Sequence, residues 1–302
     1  MSRSLVCMKA ALRSFMRYVP VDVVRSVLLS GRPAELGGEV RVLTVLISDV
    51  VGFTAIAETM PPGALVRRLS AYFEVLEQAI NGETGLVDKF MGDGMLAFFN
   101  AQGSDANHAA SACTAALAVQ HSLEAFNANG DSPPFHTRIG LAAGEVIVGN
   151  IGTSQRLSYT AIGDAVNLAC RLEMLNKAYG TRILASEDVH RAAQDDFEWR
   201  HLDRVTVPGR SRPLELYELL GHKGEVDAET LAVRDLHEVA LRAFVAGSFD
   251  EAERGFVGVL AKAPNDQPAR LLLDFTTAMR LELVAKRQAE AWRGVHPYSS
   301  KM

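Results

Sequence analysis

From Arg41 the chain enters a nearly unbroken β-branched run, Val42-Leu43-Thr44-Val45-Leu46-Ile47, which predicts a strand buried inside a sheet. The run stops at Ser48-Asp49-Val50-Val51-Gly52-Phe53-Thr54, and Pro61-Pro62 open a helix from about Gly63 to Ile80. Two apolar segments, Gly85–Met91 and Met95–Phe99, flank Gly92-Asp93-Gly94 and predict a hairpin whose glycines supply positive φ. Asp105–Asn127 is Ala-rich and helical; Thr137–Ala143 and Glu145–Ile151 read as two strands meeting at Gly144. Asp164–Tyr179 predicts a helix with Gly180 as its C-terminal cap. Short strands follow near Arg182–Ala185, Trp199–Val207 and Leu214–Leu219. This alternation predicts an α+β sandwich, a mixed sheet with helices on one face.

The two ends differ from this middle. Residues 1–40 form a helical lead-in and linker, with apolar stripes on either side of Pro20 and breaks at Gly31-Arg32-Pro33 and Gly37-Gly38. The central domain spans 41–220, and Gly221-His222-Lys223-Gly224 marks its end. Residues 225–302 are helical in pattern, and Ala240 to Asp274 resembles a single tetratricopeptide unit. One such unit cannot bury its faces alone, so a helical appendage packed on the main domain, or across a dimer, is expected. That appendage also offers a surface for a protein partner.

Composition narrows the function classes. The 302 residues are 48% hydrophobic and 22% charged, with a net charge of −5, which excludes a binder of nucleic-acid backbones in the absence of a basic face. Three cysteines, Cys7, Cys113 and Cys170, suit a reducing compartment better than a disulfide framework. The apolar runs Val42–Ile47 and Val23–Leu29 fall short of the ~18 residues of a membrane helix, and Met1–Ala11 lacks a signal-peptide core. The expected compartment is the cytoplasm, either as a free protein or as the cytosolic part of a longer membrane protein with a sensor region upstream.

Two acids carry the candidate chemistry. Asp49 ends the first apolar strand, and Asp93 sits in the hairpin turn. If those strands are neighbours, both carboxylates meet at one edge of the sheet. With the Val50 carbonyl they suit Mg²⁺ or Mn²⁺, hard ions that take oxygen ligands. Taken singly, Asp49 would read as a helix cap and Asp93 as a turn residue.

Four ordered segments change that balance. Ile47-Ser48-Asp49-Val50-Val51-Gly52-Phe53-Thr54 and Lys89-Phe90-Met91-Gly92-Asp93-Gly94 resemble the two metal motifs of class III adenylyl and guanylyl cyclases. Gly149-Asn150-Ile151-Gly152 and the stretch Tyr159 to Glu173 resemble that family's third and fourth signatures. Arg17-Tyr18-Val19-Pro20 and Leu36-Gly37-Gly38-Glu39 are similar to lead-in segments of bacterial members. The resemblance implies a ferredoxin-like (palm-like) fold and an adenylate cyclase that turns ATP into cyclic AMP and pyrophosphate at sites shared across a homodimer.

It also implies roles. Asp49 and Asp93 bind two metal ions with help from the Val50 carbonyl, and the amides from Val51 through Gly52, Phe53 and Thr54 cradle the phosphates. Lys89 and Thr160 read the base, Asn167 orients the ribose, Arg171 stabilises the α-phosphate, and Arg210 touches the triphosphate. Donor and acceptor chemistry agrees, because lysine donates and a threonine hydroxyl can accept, which matches adenine N1 and N6. Asn167 and Arg171 stand four apart on one helix face. Three departures from the family pattern are visible: Ala142-Ala143 before Gly144, Pro208 before Arg210, and Cys170, expected as a buried core thiol. The rivals are a guanylate cyclase, which Lys89 and Thr160 argue against, a catalytically silent cyclase-like dimerising module, and a diguanylate cyclase, whose turn sequence is absent.

Overall fold

From Leu43 to Ser48 the first strand is buried on both faces, and the sheet grows outward from it. The computed structural model describes residues 35–103, 105–128, 132–206, 212–286, 292, 294–297 and Cys7. The predicted lead-in helices and Arg210 lie outside them. Strand β1 (Gly37–Val50) pairs antiparallel with β3 (Gly94–Phe99) on one side and with β4 (Thr137–Gly152) on the other. Strand β2 (Leu86–Met91) completes the predicted hairpin with β3. On the far side β4 runs parallel to β6 (Ile183–Ser186), followed by β8 (Leu214–His222), β7 (Phe197–Thr206) and a short β9 (His296–Pro297). The last third of β4 pairs instead with β5 (Leu157–Ile162), a strand the sequence pattern does not announce.

Alternation along the strands sends side chains into two cores. Leu46, Val50, Ala97 and Phe99 pack under α2 (Pro62–Gly82), α3 (His108–Ala128) and α5 (Glu187–Ala193), while α1 (Phe53–Thr59) contributes Phe53 and Ile56 to their edge. Leu43, Val45, Leu96 and Phe98 pack on the other face, against Leu168, Ala169, Leu172 and Leu175 of α4 (Asp164–Tyr179). The expectation of helices on one face is therefore corrected: both faces are covered. The physical reason lies in the run Val42–Ile47, whose neighbouring residues point to opposite faces and are apolar on both.

Gly144 does not divide two strands. It pairs with Leu43 inside one continuous β4, because nothing there demands a turn. Two other glycines are required by close approach. A Cβ at Gly140 would stand 2.1 Å from the Ala169 carbonyl oxygen, so β4 and α4 meet backbone to backbone. A Cβ at Gly94 would stand 2.5 Å from the Ser48 carbonyl oxygen, so the hairpin can lie against the end of β1 only without a side chain there. Gly180 ends α4 in the left-handed region at φ 67°, as predicted.

After β8, helices α6 (Ala228–Val245), α7 (Phe249–Lys262) and α8 (Gln267–Lys286) form a small core of their own around Phe244, Phe256 and Leu272. This tail is clamped to β7. Arg200 donates to both Asp266 carboxylate oxygens at 2.7 Å, and both side chains are buried. The same guanidinium donates to His237 Nδ1 at 2.7 Å, while His237 Nε2 donates to the Leu202 carbonyl at 2.9 Å. Those bonds require a neutral imidazole, and burial beside Arg200 pushes its pKa down to about 3. A second latch joins His296, Asp203 and Tyr179, the last residue of α4.

Removing one member of a buried ion pair typically costs about 3–5 kcal/mol, whereas an exposed pair is worth about 1 kcal/mol or less. Asp266→Ala, which also removes an N-terminal cap from α8, is therefore expected to lower unfolding free energy by about 3 kcal/mol or more. Arg191→Ala, whose partners Glu187 and Asp188 are solvent-exposed, should cost under about 1 kcal/mol. Urea unfolding of the two variants decides it; equal losses would show that the clamp does not hold the tail.

Candidate active site

The hairpin turn and the end of β1 bring Asp49 and Asp93 together. β1 and β3 are adjacent, with Ser48 opposite Met95, so the residue after Ser48 and the turn before Gly94 share one edge of the sheet. The turn itself uses Gly92 at φ 66°. The Val50 amide donates to Asp93 Oδ2 at 3.3 Å. Partial burial and the neighbouring Asp49 charge raise the Asp93 pKa above the usual carboxylate range. Two carboxylates set this close together suit a cation between them.

Two residues that sequence reasoning missed complete this cluster. Arg138, on β4 directly opposite Asp49, donates to Asp49 Oδ2 at 2.8 Å. Its Nε also lies 2.9 Å from Glu173 Oε1 on α4. Burial and the nearby Asp49 and Asp93 charges push Glu173 up to about 7. The Gly140 contact explains why α4 can reach so far, since it seats Glu173 against β4. The signal in the sequence was the alternation Arg138-Ile139-Gly140, a charge within an apolar strand.

Among the described residues no three His, Cys, Asp or Glu side chains converge to enclose a metal. Two carboxylates and a main-chain carbonyl are nevertheless a fitting donor set for Mg²⁺ or Mn²⁺. Mg²⁺ is commonly held by one or two carboxylates plus substrate phosphates, not by an all-protein cage.

A second cluster forms where β2 meets β5. Lys89 Nζ donates to Thr160 Oγ1 at 3.2 Å, and the Thr160 hydroxyl donates to Asp88 Oδ2 at 2.5 Å. Asp88 is almost wholly buried, and burial raises its pKa against the lowering effect of Thr160 and Lys89. Asp88 was not among the predicted site residues.

The remaining predicted residues stand as follows. Gly52 precedes α1 at φ 68°, with Phe53 and Thr54 in its first turn, where amides lack intrahelical partners. The Val51 amide is not available to a ligand, because it donates to the His136 carbonyl at 2.8 Å. Asn167 and Arg171 lie one turn apart on α4, the first exposed and the second half-buried. Glu173 pairs with Arg138 and not with Arg171. Cys170, expected in the core, is exposed, because the buried stripe of α4 takes Leu168, Ala169 and Leu172 and leaves the position between them facing out.

Comparison with known proteins identifies the family of the domain. Residues 38–221 match the adenylate and guanylate cyclase catalytic domain family. The chain is 39% identical over 214 residues to adenylate cyclase 1 of Rhizobium meliloti (strain 1021), an alignment covering 70% of this chain but 32% of that protein's own length. Among solved structures it is similar to the adenylyl cyclase CyaB from P. aeruginosa, with a TM-score of 0.58, 29% identity, and coverage of 64% of this chain and 100% of that one. It is likewise similar to the guanylyl cyclase Cya2, with a TM-score of 0.55, 33% identity, and coverage of 63% and 97%. No helix among the described residues is long and apolar enough to cross a membrane. With well over half of its length matched by the family profile, the chain belongs to the class III adenylate and guanylate cyclases.

Proposed function

We propose that this chain is an adenylate cyclase, converting ATP to 3′,5′-cyclic AMP and pyrophosphate at sites built by two copies of itself. The observation that carries the choice of base is the Lys89–Thr160 pair. Family likeness alone leaves it open, because an adenylyl and a guanylyl cyclase resemble the chain to similar degrees. Adenine presents an acceptor at N1 and a donor at N6; guanine presents a donor at N1 and an acceptor at O6. An ammonium can only donate, so it meets adenine N1 and cannot serve guanine N1–H. A site built to hydrogen-bond one pattern rejects the other by up to about 10⁴.

In the reaction the ribose 3′-oxygen attacks the α-phosphorus in line. The bond from that phosphorus to the oxygen bridging the β-phosphate breaks, pyrophosphate leaves with the electron pair, and the hydroxyl proton passes to solvent. Asp49, Asp93 and the Val50 carbonyl would hold Mg²⁺ or Mn²⁺, two per site, which when bound would supply electrostatic activation of the hydroxyl and neutralisation of the phosphates. Arg171 presents a planar fork of N–H donors and donates to the α-phosphate oxygens as their charge builds. Asn167, one turn before it, orients the ribose. The amides of Gly52, Phe53 and Thr54 receive the outer phosphates, and Arg210 is assigned to the same group. Positioning and electrostatics account for most of the acceleration.

The shared site rests on two features. Within one protomer, Asp49 and Asp93 engage Arg138 and Val50, whereas Lys89 and Thr160 engage Asp88, so the halves form separate clusters. Val40 and Ile162 both lie opposite Ile147 in the β1–β4–β5 ladder, and all three are exposed, an apolar strip suited to a second copy.

Purified protein with Mn²⁺ should form cyclic AMP from ATP in strong preference to cyclic GMP from GTP. A reversed preference would make it a guanylate cyclase, and no turnover of either would leave a silent dimerising module. Lys89→Glu with Thr160→Cys should weaken ATP use and admit GTP; an unchanged preference would remove both residues from base reading. Asp49→Ala and Arg171→Ala should each lower turnover by about 10²–10³, as loss of an electrostatic transition-state group does. Co-expressed, they should recover about a quarter of wild-type activity, since half of randomly mixed dimers then hold one intact site of two. No recovery despite proof of mixed dimers by mass spectrometry would sink the shared-site reading.

A further inference from the structure

Asp88 and Lys89 are consecutive in β2, yet both reach Thr160. In a regular strand neighbouring side chains point to opposite faces. Here the β2–β3 register slips: Val87 lies opposite Ala97 and Lys89 opposite Leu96, so two steps along β2 match one along β3. This β-bulge turns Asp88 and Lys89 toward the same partner, and bulges commonly re-aim side chains in this way. The outcome is a closed triangle: Thr160 donates to Asp88 at 2.5 Å, Lys89 donates to Thr160 at 3.2 Å, and Lys89 Nζ lies 3.5 Å from Asp88 Oδ2.

The triangle matters because a hydroxyl is ambivalent. Free to rotate, Thr160 could accept from adenine N6–H or donate to guanine O6. With its one proton committed to the buried carboxylate, and one lone pair facing Lys89, it has only an acceptor left to offer. From this geometry we infer that Asp88 is a specificity-determining positioning residue, which holds Thr160 as an obligate acceptor and thereby turns a permissive threonine into one that excludes guanine. The inference rests on the adenine-reading role proposed for Lys89 and Thr160, and it goes beyond that role by placing the discrimination in a residue that does not touch the base. A purely structural Asp88, stapling β2 to β5, would change stability and leave the preference alone.

The test is equilibrium binding of 3′-deoxy-ATP and 3′-deoxy-GTP, which cannot cyclise, to the full chain with Mn²⁺. Asp88→Ala should reduce the preference for the adenine nucleotide by about tenfold or more, the scale of one directed hydrogen bond, chiefly through tighter guanine binding. Asp88→Asn keeps an acceptor oxygen and should retain the preference. In a Thr160→Val background, with no hydroxyl to orient, Asp88→Ala should add nothing further. If the alanine variant does not fold, Asp88→Leu fills similar space without an acceptor and carries the same expectation. A preference unchanged in Asp88→Ala or Asp88→Leu, or equally altered with and without the Thr160 hydroxyl, overturns the inference while leaving base reading by Lys89 and Thr160 intact. Wild-type protein that bound both nucleotides alike would remove the adenine reading itself, and this inference with it.

Discussion

Everything in this molecule is indexed to the register of β1 against its two neighbours. Buried on both faces, the strand cannot slide, because a one-residue slip would exchange the residues facing α4 with those facing α2 and α3. That fixed register puts Arg138 opposite Asp49 and Met95 opposite Ser48. The placements of Asp49, Asp93, Arg138 and the hairpin turn are thus consequences of one hydrophobic constraint. The bare backbone at Gly94 and Gly140 lets the turn and α4 come close enough to use it.

Charge is arranged on this frame in two separate ways. At the Asp49–Asp93 edge the acids outnumber Arg138, and burial together with the excess negative charge raises the carboxyl pKa values of Asp93 and Glu173. At the β2–β5 junction the charges balance within the protomer, Asp88 against Lys89, with Thr160 between them. The first arrangement calls for external cations, whereas the second presents a neutral, directional surface. Under the function proposed above, this is the division between handling phosphates and reading a base.

Much of this was legible in the sequence, and the remainder was hidden for identifiable reasons. Asp49 and Asp93 could be found because each interrupts an apolar pattern at a strand end, and α4 because its boundaries carry strong signals at Asp164 and Gly180. Side-chain periodicity cannot show a bulge, so nothing in the sequence set Asp88 beside Lys89 against a common partner. Nor does it reveal cross-strand partners, which depend on register, so Arg138 and Glu173 were missed. Strand β5 carries the polar residues Ser158 and Thr160 and lacks the apolar density that identified β1. Cys170 went wrong through residue type: cysteine is usually buried, but helical phase places this one outside.

The clamp between Arg200 and Asp266 has a consequence for how the chain can be taken apart. The match to the family profile ends at residue 221, but Arg200 finds its bidentate partner at 266 and Tyr179 shares Asp203 with His296. The family profile and the mechanics therefore draw the boundary in different places. A fragment cut at the family border would expose a guanidinium seated in a polar pocket made for the tail, together with the surface of β7 that α6 covers. Transplanting this cyclase module into another protein would require either carrying the helical tail along or redesigning β7 around a residue other than arginine.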